Sequence, residues 1–351
     1  MKREELMNMA CPVPLSDYPH VTMAHGGGGR LMNGLIDGMM MKAFANPVLE
    51  ARHDGAVLRV KEGRLAYSTD SHVITPLFFP GGDIGALSIY GTVNDLAMCG
   101  ATAKWISAGL ILEEGLPMET LWKVVRSMAA AAADTGVRIV TGDTKVVERG
   151  KGDGIYVNTS GVGVIPHGVE VSPARVRKGD AVVLSGDIGR HGMAIMAVRE
   201  GIRLENTLKS DLAPLNRPVE DLLAEGLDVH CMRDLTRGGL ASALNEIASM
   251  TQCTVRIAEN SIPVREEVTG ACEILGFDPL YVANEGKFVL FLPFPQANRA
   301  VEVLGQYPFC RDAAVIGSVE EASGADVVMT SAIGSERIVD MISGEQLPRI
   351  C

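Results

Sequence analysis

The sequence lacks the features that mark membrane, secreted and disulfide-rich proteins. No window reaches the ~18 consecutive apolar residues of a transmembrane helix, and the stretch MKREELMNMACPVPL has no apolar core of a secretory signal. The seven cysteines include no CxxC pair, which argues against a zinc knuckle or a disulfide framework. These absences predict a cytoplasmic protein from a reducing compartment.

An excess of positive charge is also missing. The formal net charge is −11, which argues against a nucleic-acid backbone as the main partner but leaves room for a local phosphate pocket. Hydrophobic residues make up 47% of the chain and charged residues 21%, as in ordinary globular proteins. A chain of 351 residues is long enough for two domains.

Local patterns divide the chain into two mixed halves. We predict a poorly structured lead-in over 1–25, an N-terminal domain over 26–170, a C-terminal domain over 171–333 and a flexible tail over 334–351. The joint is expected in PHGVEVSPARVRKGD, which is rich in proline, glycine and charge. Strands and helices alternate without a strict βαβ rhythm, so the predicted class is α+β.

The pattern also predicts particular elements. The helices are expected after the glycine run, over 85–98, from Pro117 to a stop at Gly136, over 191–200, after Gly238, near 265–275 and over 296–306. The strands are expected as a hairpin of 56–60 with 64–71, and at 104–113, 138–144, 155–165, 181–186, 254–259 and 287–293.

A glycine run precedes the first predicted helix. Glycines let a phosphate approach the backbone, and free N–H groups ahead of a helix can cradle an anion. A flexible hinge is the alternative, since the run HGGGGR fits neither the P-loop nor the dinucleotide pattern. The candidate phosphate-binding residues are Gly26, Gly27, Gly28 and Gly29.

Several aspartates stand at the ends of predicted elements. Carboxylates from separate elements can converge on Mg²⁺, which takes one or two of them together with phosphate oxygens. Any one of them could instead be a cap or turn residue, and Asn94 and Thr144 are candidate neutral ligands. The candidate metal ligands are Asp54, Asp70, Asp95, Asp143 and Asp234.

Two short motifs in the second half add further candidates. Thr236, Arg237 and Gly238 open a predicted helix, where an arginine beside glycines suits a phosphate. In ANEGK, Glu285 and Lys287 form either an acid/base pair or a surface ion pair.

The chain ends on a thiol, Cys351. A terminal thiol is accessible to acylation; its own carboxylate opposes thiolate formation and Arg349 partly offsets this. An accidental terminus is the alternative. The remaining cysteines after Cys11 are expected to be inert core thiols.

Together these segments resemble the HypE family of NiFe-hydrogenase maturation factors. The resemblance rests, in chain order, on HGGGGRLM, FANPVL, STDSHVITPLFFPGGDIG, GTVNDLAMCGA, LILEEGLPMETL, IVTGDTKVV, RDLTRGGL, ANEGK and the terminal PRIC. PRIC is the most specific of them. The glycine run and aspartate motifs are shared with ATP-binding synthetases related to aminoimidazole ribonucleotide synthetase.

The resemblance implies a two-domain α+β homodimer, paired through its N-terminal domains, with ATP and Mg²⁺ between the two halves. A carbamoyltransferase partner, HypF, would load Cys351 with a carbamoyl group. ATP-dependent dehydration would turn this group into a thiocyanate, and a HypC–HypD complex would receive the cyanide for the hydrogenase iron.

The resemblance also assigns roles to residues. Cys351 would be the carrier, and Lys145 and Glu285 the candidates for acid/base or positioning roles. The metal and phosphate would be held by Asp70, Asp95, Asp143 and Asp234, with Asp54 carried over from the wider superfamily. ATP contacts would come from the glycine run, Asn94, Thr236, Arg237 and Gly238.

Two departures and two alternatives remain. Gly27 stands where the family often has serine, and the segment before His25, with Cys11, is longer than expected. A small-molecule kinase or synthetase of the same superfamily is one alternative, although no cysteine in the glycine run supports selenophosphate synthesis. A non-catalytic carrier is the other.

Overall fold

The computed structural model describes residues 3–11, 19–26, 30–50, 63–202, 208–322, 327–341, 347 and 350–351. The predicted strand at 56–60, Asp54, and Gly27 to Gly29 lie outside the described residues. No described helix is both long and apolar enough to cross a bilayer.

The N-terminal half is built on a four-stranded sheet in the order β1-β6-β4-β5. All pairs are antiparallel except β4 with β5. Its strands are β1 (Arg64–His72), β4 (Thr102–Glu113), β5 (Arg138–Val147) and β6 (Ile155–Ile165), and a small hairpin is made of β2 (Phe78–Phe79) and β3 (Gly82–Asp83).

Two long helices cover one face of this sheet. The first, α5 (Ile84–Met98), is apolar on nearly every side and buried accordingly. The Asp83 carboxylate caps it by accepting the N–H groups of Gly85 and Ala86. The second, α6 (Met118–Thr135), ends at Gly136, whose φ of 76° is left-handed.

None of the described helices covers the outward-pointing side chains of the opposite face of the sheet. Leu65, Tyr67 and Ile111 point outward with 53%, 69% and 43% of their surface exposed. We call the outward-facing side of β1, β6, β4 and β5 the open face. Apolar side chains grouped in this way are typical of an interaction surface.

The predicted lead-in is more ordered than its sequence indicated. A short helix, α1 (Arg3–Met7), packs on α6 through the buried Leu6. Arg3 pairs with Asp134 at 2.6 Å, and the indole of Trp122 donates to the Met9 carbonyl at 3.1 Å. The expectation of a poorly structured segment is therefore wrong for residues 3–11. The further helices before β1 are α2 (Arg30–Leu35), α3 (Met41–Ala43) and α4 (Pro47–Glu50), with a π-helical turn over Ile36–Met40.

The C-terminal half contains a seven-stranded sheet in the order β13-β12-β9-β11-β7-β10-β8. The strands are β7 (Asp180–Leu184), β8 (Cys231–Asp234), β9 (Thr254–Ala258), β10 (Phe288–Pro293), β11 (Ala314–Glu320), β12 (Val327–Thr330) and β13 (Glu336–Ile338). The helices are α7 (Arg190–Arg199), α8 (Asn216–Ala224), α9 (Gly239–Thr251), α10 (Glu266–Leu275) and α11 (Ala297–Leu304). The two-domain α+β prediction is confirmed.

The chain leaves the second sheet only after β13, later than the predicted start of the tail at Gly334. Its last residues then return to the N-terminal half. Ile350 is 2% exposed and belongs to the same apolar core as α5 and α6, and Leu347 packs against that core. The end of the tail is thus seated between the halves.

Candidate functional site

Four carboxylates from separate elements meet where the halves join. Asp70 lies on the helix-facing side of β1, Asp95 on α5, Asp234 at the end of β8, and Glu285 in the turn before β10. Ser68 donates to Asp95 at 2.6 Å. We call these four residues the inner cluster.

Burial and mutual repulsion change the protonation of this cluster. Burial, and then the neighbouring Asp95, raise the pKa of Asp234 to about 7. Burial, followed by the repulsion from Asp70, likewise raises the pKa of Asp95. The negative charge of the inner cluster is therefore not fully balanced by positive groups nearby, and the cluster favours the uptake of a proton or a cation.

Glu285 is the most enclosed member. It is 4% exposed, and its Oε1 atom has no hydrogen-bond partner in the described part of the chain. Burial, then Asp70 and Asp211, raise its pKa well above the usual carboxyl value. An orphaned buried oxygen of this kind is typical of a group that acts on a ligand.

The turn that carries Glu285 is rigidly held. The Asp211 carboxylate accepts the N–H of Gly286 at 3.1 Å, and Asn284 accepts the N–H of Gly189 at 2.7 Å. A Cβ on Gly286 would lie 2.1 Å from the Asp211 carbonyl oxygen, so only glycine fits there. Lys287 points away from Glu285 and donates to the Phe309 carbonyl at 2.5 Å while fully buried. The two residues form neither of the pairs expected from ANEGK.

The inner cluster fits a divalent cation in charge but does not enclose one by itself. Among the described residues, no three His, Cys, Asp or Glu side chains form a group able to hold a metal ion. Mg²⁺ usually takes only one or two protein carboxylates and completes its shell with phosphate and water. The arrangement is compatible with a metal that enters together with a nucleotide.

The motif TRGG contributes a constrained turn and a positive charge. Gly238 has a left-handed φ of 77°, and a Cβ on Gly239 would lie 2.6 Å from the carbonyl oxygens of Leu280 and Val282. Arg237 is exposed and acts electrostatically on both His72 and Cys351. Burial lowers the pKa of His72 and Arg237 adds to this, whereas at Cys351 Arg237 only partly opposes the increase in pKa that burial and Glu285 cause. Thr236 precedes it in the same turn.

Asn94 has a different set of contacts from the one predicted. Its amide group donates to the carbonyls of Ala213 and Glu285 at 3.1 and 3.3 Å, and its oxygen accepts the Leu215 N–H at 2.8 Å. The side chain is 3% exposed. Asn94 therefore joins α5 to the C-terminal half, and its contact with a nucleotide stays a prediction.

Asp143 and Lys145 lie apart from the inner cluster. They form an ion pair of 2.9 Å on the open face of β5, with side chains 60% and 64% exposed. The hydrogen bond from Lys145 lowers the pKa of Asp143. Since β1 and β5 are opposite edges of the sheet, three strand spacings of ~4.8 Å put about 14 Å between them. Thr144 points the other way, into a cavity of about 180 Å³ lined also by Met40 and Phe44.

Gly26 ends a short 3-10 turn, Met23–Gly26, and the other glycines of the run are outside the described residues. The preceding His25 is 3% exposed, and burial lowers its pKa.

Cys351 is seated at the inner cluster. Its backbone oxygen accepts the Val73 N–H at 3.0 Å. Burial, and then the nearby Glu285, raise the pKa of its thiol to about 12. The thiol is therefore held protonated and unreactive in this position. Of the other cysteines, Cys231, Cys272 and Cys310 are buried as expected, whereas Cys99 is exposed.

His191 on α7 also contacts the tail, a role that none of the sequence motifs predicts. Its Nε2 atom lies 2.6 Å from the Ile350 carbonyl oxygen, and its Nδ1 atom 2.8 Å from the Ser210 hydroxyl. The available signal was the glycine spacing of SGDIGRHG between a strand and a helix. A Cβ on Gly192, for example, would lie 3.0 Å from Leu347.

Comparison with known proteins first defines the class. The model of the AIR synthase related protein N-terminal domain matches residues 52–165, and that of the C-terminal domain matches residues 177–330. The chain is thus a two-domain protein of the AIR synthase related class.

More similar proteins define the family. Carbamoyl dehydratase HypE of Azotobacter vinelandii is 50% identical over 331 residues, which cover 94% of this chain and 97% of that protein. The crystal structure of hydrogenase maturation protein HypE in complex with ATP matches with a TM-score of 0.91 and 48% identity, over 94% of this chain and 99% of the other. The HypE–HypF complex matches with a TM-score of 0.77 and 44% identity, over 90% and 100%. This chain belongs to the HypE family, which confirms the resemblance.

Proposed function

We propose that this protein is an ATP-dependent carbamoyl dehydratase that acts on its own Cys351 and supplies cyanide for NiFe-hydrogenase maturation. The observation that carries the proposal is the seating of the terminal thiol beside Glu285 in the inner cluster. The relatives named carbamoyl dehydratase, and the relative bound to ATP, support it. A substrate attached to the protein does not have to bind from solution, because its local concentration at the site is already high.

The inner cluster is the proposed site for ATP phosphates and Mg²⁺. Asp70, Asp95 and Asp234 would hold the metal, and Arg237 would face the phosphates. When bound, the metal offsets the charge of the transferring phosphoryl group. Gly26 remains a proposed contact on the strength of the sequence, together with Asp54 and Gly27 to Gly29, which lie outside the described residues.

The proposed reaction balances as a dehydration driven by ATP. The carbamoyl oxygen on Cys351 takes the γ-phosphoryl group and leaves ADP. Phosphate then departs with that oxygen, and the nitrogen loses its two protons. The products are the S-cyano cysteine, ADP, phosphate and one net proton. Without phosphorylation the oxygen would be a poor leaving group.

Glu285 is the proposed base for the nitrogen protons. It faces Cys351 closely enough to shift the thiol pKa, and its free Oε1 atom has no competing partner among the described residues. In the inner cluster as described, repulsion favours its protonated form. Once the charges of Asp70, Asp95 and Asp234 are compensated, that repulsion falls and the carboxylate can accept a proton.

We further propose a homodimer formed through the open face. Its exposed Leu65, Tyr67 and Ile111 would be buried by a second copy of the same face. Asp143 and Lys145 would then lie at the interface, so any role of Lys145 in phosphoryl transfer would be exerted across it.

The proposed partners are HypF, which would load the carbamoyl group, and a HypC–HypD complex, which would receive the cyanide. A solved HypE–HypF complex supports the first. We propose the cytoplasm as the location, since the reaction needs ATP and a free thiol.

Mass spectrometry of the C-terminal peptide tests the proposal. The protein is incubated with a HypF-type enzyme, its carbamoyl donor and ATP, and the peptide is then weighed. We expect the peptide first to gain the mass of one carbamoyl group on Cys351. It should then lose the mass of one water as this protein uses ATP to dehydrate that group. An unmodified peptide, or modification of another cysteine, would contradict it. A carbamoyl adduct that persists with ATP and Mg²⁺ would favour the carrier alternative.

A further inference from the structure

Two contacts hold the last residue from opposite sides. The Val73 N–H, at the end of β1, donates to the Cys351 backbone oxygen at 3.0 Å. The His191 Nε2 atom, on α7, lies 2.6 Å from the carbonyl oxygen of Ile350. One contact precedes the Cα atom of Cys351 and the other follows it, and each comes from a different half of the molecule.

The hydrogen bonds around His191 fix its tautomer. The Ile350 carbonyl can only accept, so Nε2 must carry the proton and donate it. The Ser210 hydroxyl accepts the Leu212 N–H at 3.0 Å, which leaves its own proton free to be donated to Nδ1 at 2.8 Å. The imidazole is thus a neutral donor aimed at the tail, oriented by Ser210.

His191 is also fixed in place sterically. It is fully buried, and its ring meets Phe79 edge-on with centroids 5.5 Å apart. The Ile350 side chain beside it is 2% exposed within the N-terminal core. While the tail is seated, the imidazole is therefore held in one orientation by its neighbours.

We propose that His191 is a positioning residue that, together with the Val73 N–H, holds the Ile350–Cys351 peptide by two hydrogen bonds. We call these two contacts the clamp, and they fix where the Cys351 sulfur lies relative to Glu285. The inference goes beyond the dehydratase activity and rests on the proposed function only for its catalytic consequence. Fixing the backbone on both sides of one residue leaves mainly χ1 to orient the sulfur. A reacting group attached to that sulfur is thereby held in one geometry during phosphoryl and proton transfer.

Two substitutions of His191 distinguish the effect of its hydrogen-bond donor from the effect of its aromatic ring. His191→Phe keeps an aromatic ring against Phe79 but removes the donor and leaves the Ile350 carbonyl unpaired. His191→Gln places an amide donor near the Nε2 position. Leu244→Ala, in the core of the C-terminal half, controls for general loss of stability.

The first readout is alkylation of Cys351 by iodoacetamide in the full chain, measured against the exposed Cys99 as an internal standard. A clamped thiol reacts slowly and a released one reacts normally. We expect His191→Phe to raise the Cys351-to-Cys99 rate ratio about tenfold, as loss of a buried hydrogen bond allows. His191→Gln and Leu244→Ala should stay within about twofold of the wild type. An unchanged ratio in His191→Phe would overturn the clamp.

The second readout is the single-turnover dehydration of protein already carbamoylated on Cys351. His191→Phe should slow it about tenfold and His191→Gln should restore it. Faster alkylation with unchanged dehydration would overturn the positioning role. If the wild type itself does not lose water, the proposed function fails, and the alkylation ratio still decides whether the clamp exists.

Discussion

The inner cluster and the Asp143–Lys145 pair contain the same kinds of charged residue in opposite environments. Asp234 lies among other carboxylates, and burial, followed by the repulsion from Asp95, raises its pKa to about 7. Asp143 stands on the open face beside an ammonium group, which lowers its pKa. The position of a carboxylate, rather than its motif, therefore decides whether the group holds a proton near neutral pH or remains an ordinary surface charge.

Glu285→Gln should have the largest effect on the reaction at the inner cluster. The amide keeps the shape of Glu285 but cannot take a proton, so dehydration of carbamoylated Cys351 should slow about 1000-fold. Loading by HypF should be unchanged, because the carboxylate is not needed for it. Single-turnover mass spectrometry measures both steps, with the exposed Glu302→Gln as control. A loss below tenfold would exclude Glu285 as the base.

Asp234→Asn and Asp143→Asn are matched substitutions that test which of the two carboxylates binds Mg²⁺. Asp234→Asn should raise the Mg²⁺ concentration for half-maximal dehydration about 100-fold, because a buried ligand is lost. Asp143→Asn should change it far less. Titration of the single-turnover rate with Mg²⁺ provides the measurement. Equal effects would show that both carboxylates bind the metal, contrary to their separation within one chain.

Tyr67→Ala tests the open face. Removal of a large exposed ring should weaken self-association about tenfold without changing the unfolding midpoint of the dissociated monomer at high dilution. Sedimentation equilibrium over a dilution series measures the effect, and Ile274→Ala, an exposed residue on α10, serves as control. If the two variants associate equally well, the open face is not the dimer interface.

The smallest effect is on the pH dependence of stability. Because the folded pKa of Asp234 lies above its ordinary value of 3.8, the folded state binds more protons than the unfolded state between pH 3.8 and about 7. Stability should therefore fall as pH rises through that window, by about 1–2 kcal/mol, since the titration of Asp234 is coupled to that of Asp95. Urea unfolding at several pH values measures the slope. Asp234→Asn should flatten it, and a slope equal to that of the wild type would contradict the inner cluster.

Apolar periodicity and stop residues located most of the fold. Pro117 and Gly136 bounded α6 correctly, and the apolar run from Phe288 identified β10. The strand β11 was missed because Gly317 and Ser318 interrupt its apolar pattern. The order of α1 was missed because it depends on Asp134 and Trp122, which are distant in sequence.

The sequence located the site in part. Asp70, Asp95, Asp234 and Glu285 were all named and lie together. Asp143 was grouped with them because the motif alone does not tell which sheet edge or face a residue occupies. The hydrogen bonds of Asn94 to Ala213 and Leu215 in the other half could not be predicted from its motif, and its proposed contact with ATP stays a prediction. His191 had no recognised motif, and only the course of the tail gave it a role.

The position of β13 limits how far the Cys351 thiol can reach from the second sheet toward a partner. It pairs with β12, and Val339 directly after it is buried in the C-terminal core and donates to the Val327 carbonyl at 3.0 Å, so the chain is held as far as Val339. The 12 residues that follow (351 − 339) are the tether of the thiol and reach about 40 Å when fully extended, at ~3.3–3.6 Å per residue. The proposed carbamoyl donor and cyanide acceptor would have to bring their reaction centres within that distance of one edge of the second sheet. Tether length thus restricts where on this protein a partner can bind.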